Sequence, residues 1–249
     1  LKALRQWRLV IALALCGLLA AYAFWLEPEW LQVNELRLSD KPTLTLAHIS
    51  DLHYKGEKNR MLRMVDIINR RHPDVVCFTG DLVEDAAFLG ELLRLLGKLD
   101  APIVGVPGNH DYWSHADFDQ IRMAFQKKGG AWLLDEAATI KGVAFFGATE
   151  RDRTQPLPSG KPRILLCHYP AVIDRLEGMT FDLTLAGHTH GGQLRVPGYG
   201  ALILPLGSGD YDKGLFSVGG NRLHVSKGIG TWFIEARFWC RPEIAFISL

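Results

Sequence analysis

Gly187-His188-Thr189-His190-Gly191-Gly192 is the stretch that decides how this chain reads. It sets two imidazoles between glycines, directly after the apolar run Leu183 to Ala186. The same arrangement recurs upstream. Thr43 to Ile49 leads into Asp51-Leu52-His53, and Asp74 to Thr79 leads into Gly80-Asp81. Pro102 to Val106 leads into Gly108-Asn109-His110-Asp111, and Arg163 to Cys167 into His168. Carboxylate, amide and imidazole donors therefore stand where strands end and loops begin. That is the layout of a two-metal site assembled from the ends of neighbouring strands.

The segments between these motifs set the fold class. Lys58 to Arg71 is amphipathic at helical spacing; Asp85 to Leu99 is a Leu-rich helix and His115 to Lys128 a third. Strands alternating with helices predict βαβ units and parallel pairing. The second half reads as short strands: Ala131 to Leu134, Ala137 to Ile140, Val143 to Phe146, Leu194 to Val196, Ala201 to Leu204, Gly214 to Val218, Arg222 to Val225 and Ile244 to Ser248. Gly219-Gly220-Asn221 is a hairpin turn signal. The expectation is an α/β fold, two mixed β-sheets packed as a sandwich and flanked by helices. Residues 43–249 form the catalytic domain, 29–42 a linker and edge strand, and 1–28 an N-terminal anchor. A proline-rich stretch, Glu150 to Pro162, is the long loop.

Asp51 and His53 are two apart, so an extended segment projects both to one side, where they can grip one cation. Asp81 has two carboxylate oxygens and can bridge two. Asn109 offers a neutral carbonyl oxygen, and His168, His188 and His190 offer imidazole nitrogens. Two divalent cations bring four positive charges, of which Asp51 and Asp81 cancel two. The residual charge suits a phosphate anion and lowers the pKa of a shared water. Singly, each piece has a bland reading: Gly-Asp is a turn, and His-x-His is a surface hairpin. In this order, each after an apolar run, coincidence is a poor account. His48, His72, His115 and His224 lack motif support and read as packed or solvated. Cys77 and Cys167 read as buried thiols, with no disulfide framework.

These motifs resemble the calcineurin-like metallophosphoesterase superfamily, from about Thr43 to the C-terminus. The Gly187-to-Gln193 run, the apolar N-terminus and Val225-Ser226-Lys227-Gly228-Ile229-Gly230-Thr231 look like its membrane-anchored bacterial phosphodiesterase branch. The resemblance implies a four-layer fold and two divalent metals, with Mn, Fe and Zn all suited to mixed nitrogen and oxygen ligands. It implies a first metal on Asp51, His53, Asp81 and His190, and a second on Asp81, Asn109, His168 and His188. His110 would sit beside the scissile phosphate without binding metal, assisting the leaving group. Asp111 would orient His110. Trp232-Phe233-Ile234 departs from the branch; it reads as a core strand or, more sharply, as an exposed patch that meets lipid.

Leu9 to Leu26 carries no charge and is just long enough to span a bilayer. Lys2, Arg5 and Arg8 precede it, and Glu27, Glu29 and Glu35 follow, so the positive-inside rule places the remainder outside the cytoplasm. A cleaved signal peptide with Ala21-Tyr22-Ala23 at its end is the alternative. The 249 residues are 48% hydrophobic and 22% charged, with a formal net charge of +1. That balance argues against a nucleic-acid partner.

The expected activity is therefore metal-dependent cleavage of a phosphodiester or pyrophosphate bond, at a bacterial inner or cell membrane. The substrate is a phosphate-containing small molecule or a lipid-linked one. Some relatives cleave UDP-2,3-diacylglucosamine on the route to lipid A; glycerophosphodiester or wall-polymer linkages are the alternative, and a nuclease a more distant one. The two leading substrates imply opposite membrane faces. A non-catalytic scaffold would have lost ligands, whereas here every ligand position is filled.

Overall fold

The computed structural model describes residues 2–149, 163–176 and 179–249; the Glu150 to Pro162 stretch, expected to be the long loop, lies outside them. The chain opens with helix α1, Lys2–Ala21, extended by a π turn, Tyr22–Leu26, and a 3₁₀ turn, Glu27–Glu29. The span Arg5–Glu29 is long and apolar enough to cross a membrane by length and composition. Then come β1 (Gln32–Arg37), β2 (Thr45–Ile49), α2 (Lys58–Arg71), β3 (Val75–Thr79), α3 (Leu89–Leu96), β4 (Ile103–Val106), α4 (Asn109–Trp113) and α5 (Phe118–Gln126). Strands β5 (Ala131–Trp132), β6 (Ala137–Ile140), β7 (Val143–Ala148), β8 (Arg163–Cys167) and β9 (Leu183–Ala186) follow. The chain closes with β10 (Arg195–Val196), β11 (Gly200–Ala201), β12 (Gly214–Val218), β13 (Asn221–Val225) and β14 (Glu243–Ser248).

Two six-stranded mixed sheets result, ordered β1-β14-β2-β3-β4-β5 and β12-β13-β9-β8-β7-β6, beside a small β10-β11 ribbon. Along β3, successive side chains point to opposite faces. Val76 and Phe78 join the cluster under α2, α3 and α5, while Val75 and Cys77 pack against Phe145, Ile164 and Leu185 of the second sheet. A strand buried on both faces must be apolar throughout, which is why Val75–Thr79 shows no polar alternation. The outer face of the second sheet is covered by a 3₁₀ helix, Pro170–Arg175.

Several sequence expectations change length or type; the strands expected over Ala131 to Leu134 and Ala201 to Leu204 shorten to Ala131–Trp132 and Gly200–Ala201. The helix expected from Asp85 is a 3₁₀ turn capped by the Asp85 carboxylate, then α3, which stops before Gly97. The helix expected from His115 starts at Phe118, because the Asp117 side chain accepts from the Asp119 and Gln120 N–H groups and caps it there. Trp232-Phe233-Ile234 is not a strand: Phe233 is 87% exposed and the segment is irregular.

A two-metal cleft at the ends of five parallel strands

β2, β3 and β4 run parallel in the first sheet, and β8 and β9 in the second. Their C-terminal ends bring Asp51 and His53, Asp81, Asn109, His168, and His188 and His190 into one cleft. All seven side chains belong to residues under one-tenth exposed, and Asp51, His53, Asp81, His188 and His190 hold left-handed backbone. Such conformations cost on the order of 1–3 kcal/mol each for non-glycine residues and persist only where the surroundings over-determine them.

The surroundings do so by close contact. A Cβ on Gly187 would overlap Ser50 Oγ and Asp51 Oδ2, and one on Gly108 would overlap the Asp81 carboxylate and the His168 ring. The motif glycines are thus the places where one ligand loop lies directly on another. The Val225-to-Thr231 segment buttresses the first loop from behind, with Ile229 N donating to Ser50 O at 3.0 Å and Gly230 N to Asp51 O at 2.7 Å.

The donor spacing fits metal coordination. His53 Nε2 and His190 Nε2 are 3.0 Å apart, His168 Nε2 and Asn109 Oδ1 3.0 Å, and His188 Nδ1 and His168 Nε2 3.1 Å. Asp81 Oδ2 lies 3.4 Å from His53 Nε2 and 3.3 Å from His168 Nε2. Adjacent donors on a cation with bonds of about 2.1 Å stand roughly 3.0–3.4 Å apart. In three of the four rings the inward nitrogen is freed because its ring partner is occupied, whereas His190 Nδ1 is buried without a partner. His168 Nδ1–H donates to Thr79 O at 2.7 Å, His188 Nε2–H to Leu206 O at 2.7 Å, and His53 Nδ1–H to Glu84. Such outer partners fix tautomer and ring orientation.

Electrostatics agree. Burial pushes His188 down to about 3, and burial with the nearby His53 pushes His190 well below its ordinary value, so both present a lone pair. Burial opposes charge on His168 too, but the Asp81 carboxylate outweighs it and raises that ring to about 9. Its Nε2 is where a proton and a cation would compete. Burial raises Asp51, whereas the positive charge of His168 overrides burial at Asp81 and lowers it.

His110 lies at the edge of this cluster. Its Nδ1 is 3.2 Å from Glu84 Oε2, and its buried Nε2 has no partner. Burial lowers its pKa, yet the Glu84 hydrogen bond and the Asp81 charge give a net rise. The carboxylate that touches the His110 ring is Glu84 and not Asp111. The Asp111 oxygens accept from the Asp81, Leu82 and Gly108 N–H groups at 2.8–2.9 Å, tying two ligand loops together, and do not reach the ring. Glu84 touches both His53 and His110, and no sequence reading named it. The available signal was an acid three residues after Asp81.

The cleft has a volume of about 650 Å³ and is floored by Asp81, Asn109, His110, His188 and His190. Residues 44–192 match the calcineurin-like phosphoesterase family. The chain belongs to that family. Metallophosphoesterase YkuE of Bacillus subtilis (strain 168), itself described as uncharacterized, is 26% identical across 92% of this chain and 88% of its own length. Phosphodiesterase YaeI of Escherichia coli (strain K12) is 26% identical across 92% of each chain. Among solved structures, TT1561 of Thermus thermophilus shares the fold, with a TM-score of 0.52 over 75% of this chain and 90% of that one, at 12% identity. This phosphoesterase carries His and Asp clusters able to hold two divalent metal ions.

Proposed function

We propose that this phosphoesterase is a membrane-tethered phosphodiesterase or pyrophosphohydrolase whose substrate is an amphiphile, such as UDP-2,3-diacylglucosamine. In this reading residues 1–28 are the anchor, 29–42 a linker and edge strand, and 43–249 the catalytic domain. One metal is held by Asp51, His53, Asp81 and His190, and the other by Asp81, Asn109, His168 and His188. The observation that carries the reading is Asp81 Oδ2, one oxygen facing imidazoles of both sets at 3.3–3.4 Å.

Bound there, two divalent cations supply charge neutralisation for phosphate oxygens and a water of lowered pKa. The chain's own groups do the remainder. Asp81 Oδ1 accepts from His110 N at 2.8 Å, which locks the His110 loop to the bridging carboxylate. Glu84 holds His110 Nδ1–H, leaving Nε2 toward the cleft as the proton donor for a departing oxygen. Asp111 keeps the Gly80 and Gly108 turns in register.

A nuclease would want cationic side chains along the cleft; among its described lining residues there is no Lys or Arg. The second reading, an exported enzyme acting on glycerophosphodiester or wall-polymer linkages, is favoured by Lys2, Arg5 and Arg8 before the uncharged Leu9 to Leu26 run and by the acidic residues after it. The test is a hydrolysis panel with Mn, Fe or Zn, comparing a lipid-linked nucleotide sugar, bis-p-nitrophenyl phosphate and p-nitrophenyl phosphate. Diester or pyrophosphate cleavage faster than monoester cleavage is expected. Preference for the monoester would overturn the reading, and cleavage of glycerophosphodiesters alone would favour the second.

A further inference from the structure

An apolar groove of about 310 Å³ opens beside the metal cleft. Leu194, Leu202, Ile203, Pro205, Phe233 and Ile234 line it, and His190, Pro205 and Trp232 are shared with the cleft. Its walls are held open by side-chain-to-backbone bonds. The Gln193 amide donates to Trp232 O at 3.0 Å and to Ile234 O, and Trp232 N donates back to Gln193 Oε1 at 2.8 Å. Large side chains that a monomeric surface ordinarily hides stand out on the rim: Ile203 is 73% exposed and Phe233 87%.

The same wall grips the end of the apolar N-terminal helix. Leu194 forms a bridge with Phe238, whose ring meets Tyr22 edge-on at 6.0 Å between centroids. Arg237 N donates to Ala23 O at 2.9 Å, and the buried Glu27 carboxylate accepts from Trp239 N at 2.8 Å and from Cys240 N. Glu29 is clamped to α2 through Arg60 at 2.6 Å. The helix end is therefore fixed relative to the groove rather than joined by a free tether. A helix seated in a bilayer would bring the groove to the lipid surface in one fixed orientation.

We propose that this groove is the hydrocarbon subsite of the metal cleft: it takes a single alkyl or acyl chain attached to the phosphate under attack, drawn from the leaflet at which α1 emerges. The proposal rests on the phosphodiesterase reading above and narrows it. A phosphate at the metal residues and a chain running over His190 and Trp232 into the groove use two adjoining cavities that share His190, Pro205 and Trp232. Each fully buried methylene is worth roughly fourfold in binding, so a few carbons suffice to discriminate substrates.

The test uses the full chain in phosphatidylcholine nanodiscs and p-nitrophenyl phosphodiesters carrying a methyl, butyl, octyl or dodecyl group. The wild type is compared with Ile203→Ser/Phe233→Ser, whose changes fall on exposed side chains outside the catalytic set. Partitioning into the disc raises the local concentration for both proteins alike, so the readout is their ratio of kcat/KM. That ratio is expected near one for the methyl ester and at least tenfold for the octyl ester. A ratio independent of chain length would overturn the proposal and would mean that the rim meets only bulk lipid or a second copy. A further measurement needs no turnover: quenching of Trp232 fluorescence by a terminally brominated undecyl phosphate, read as wild type minus Trp232→Phe. Quenching without cleavage of the methyl ester would sustain the groove and overturn the diesterase reading. Absence of quenching would overturn the groove.

Discussion

On the cleft floor, the seven proposed ligand residues are less than one-tenth exposed, and five of them hold left-handed backbone. On the rim, Ile203, Leu206 and Phe233 are 73%, 96% and 87% exposed. Floor side chains are fixed by hydrogen bonds from neighbouring loops, and nearly every floor ring has an assigned partner. Rim side chains touch little and are fixed mainly through the backbone beneath them. The work is divided accordingly. On the proposed reading, reaction chemistry belongs where geometry is over-determined, and substrate choice where apolar surface stays open to a ligand.

The contrast predicts a steep fall in sensitivity from floor to rim. Asp81→Asn should have the largest effect, because Asp81 Oδ2 faces imidazoles of both proposed metal sets. Metal analysis after dialysis should find both sites weakened, and turnover should fall by more than the roughly 10–100-fold that an outer partner is worth. Two tightly held metals at wild-type affinity would refute the bridging assignment.

His110→Ala separates metal binding from proton transfer. A loss of roughly 10²–10⁴-fold is expected on an alkyl diester, and distinctly less on a nitrophenyl diester, whose leaving group scarcely needs a proton. Both metals should remain. Equal losses on the two substrates would point to charge stabilisation instead, and loss of a metal would make His110 a ligand.

Glu84→Gln probes the partner that His53 and His110 share. It should lower metal affinity or activity by about 10–100-fold, with Glu84→Asp recovering part of it. If Asp111→Asn mimicked its leaving-group dependence while Glu84→Gln did not, the orienting role would return to Asp111.

The smallest effect lies behind the floor. His48 and His224 are buried, their Nδ1 atoms 2.9 Å apart, with His48 Nε2 at 2.9 Å from Thr79 Oγ1 and Glu243 4.0 Å from His224. Burial lowers the pKa of both, well below the ordinary value for His48. The unfolded chain therefore takes up protons first as pH falls through about 6.5, and stability present above that pH is lost on the way down, by at most about 1.4 kcal/mol per pH unit for each ring. Urea midpoints of chelator-treated protein at about pH 7.5 and about pH 5.5 should show a loss to which the buried His188 and His190 also contribute, and His224→Gln should reduce it by the share of the pair. An unchanged slope would show that the pair does not titrate in this range.

Much of this was legible from the chain. Helix α2 and strands β6, β8, β9 and β12 fall on the residues their periodicity indicates. The ligand-type residues that the motifs single out do converge in one cleft. Legibility failed where a side chain acts on a distant backbone. Asp111 sits next to His110 in sequence but reaches Asp81 N and Leu82 N, because α4 turns its carboxylate back over the Gly80 loop. Trp232 to Ile234 has strand composition, yet it is held irregular by the Gln193 amide about forty residues earlier.

By itself the sequence determined the family, the fold class and the set of chemically competent donors, because apolar runs ending in Asp, Asn and His are local patterns. Only the tertiary structure decided which carboxylate holds which ring, which nitrogen of each imidazole faces inward, and that the groove, the cleft and the end of the apolar helix share one wall. Those facts depend on how two sheets and a terminal helix pack, and packing is set by contacts between residues far apart in the chain, on which local periodicity carries no information.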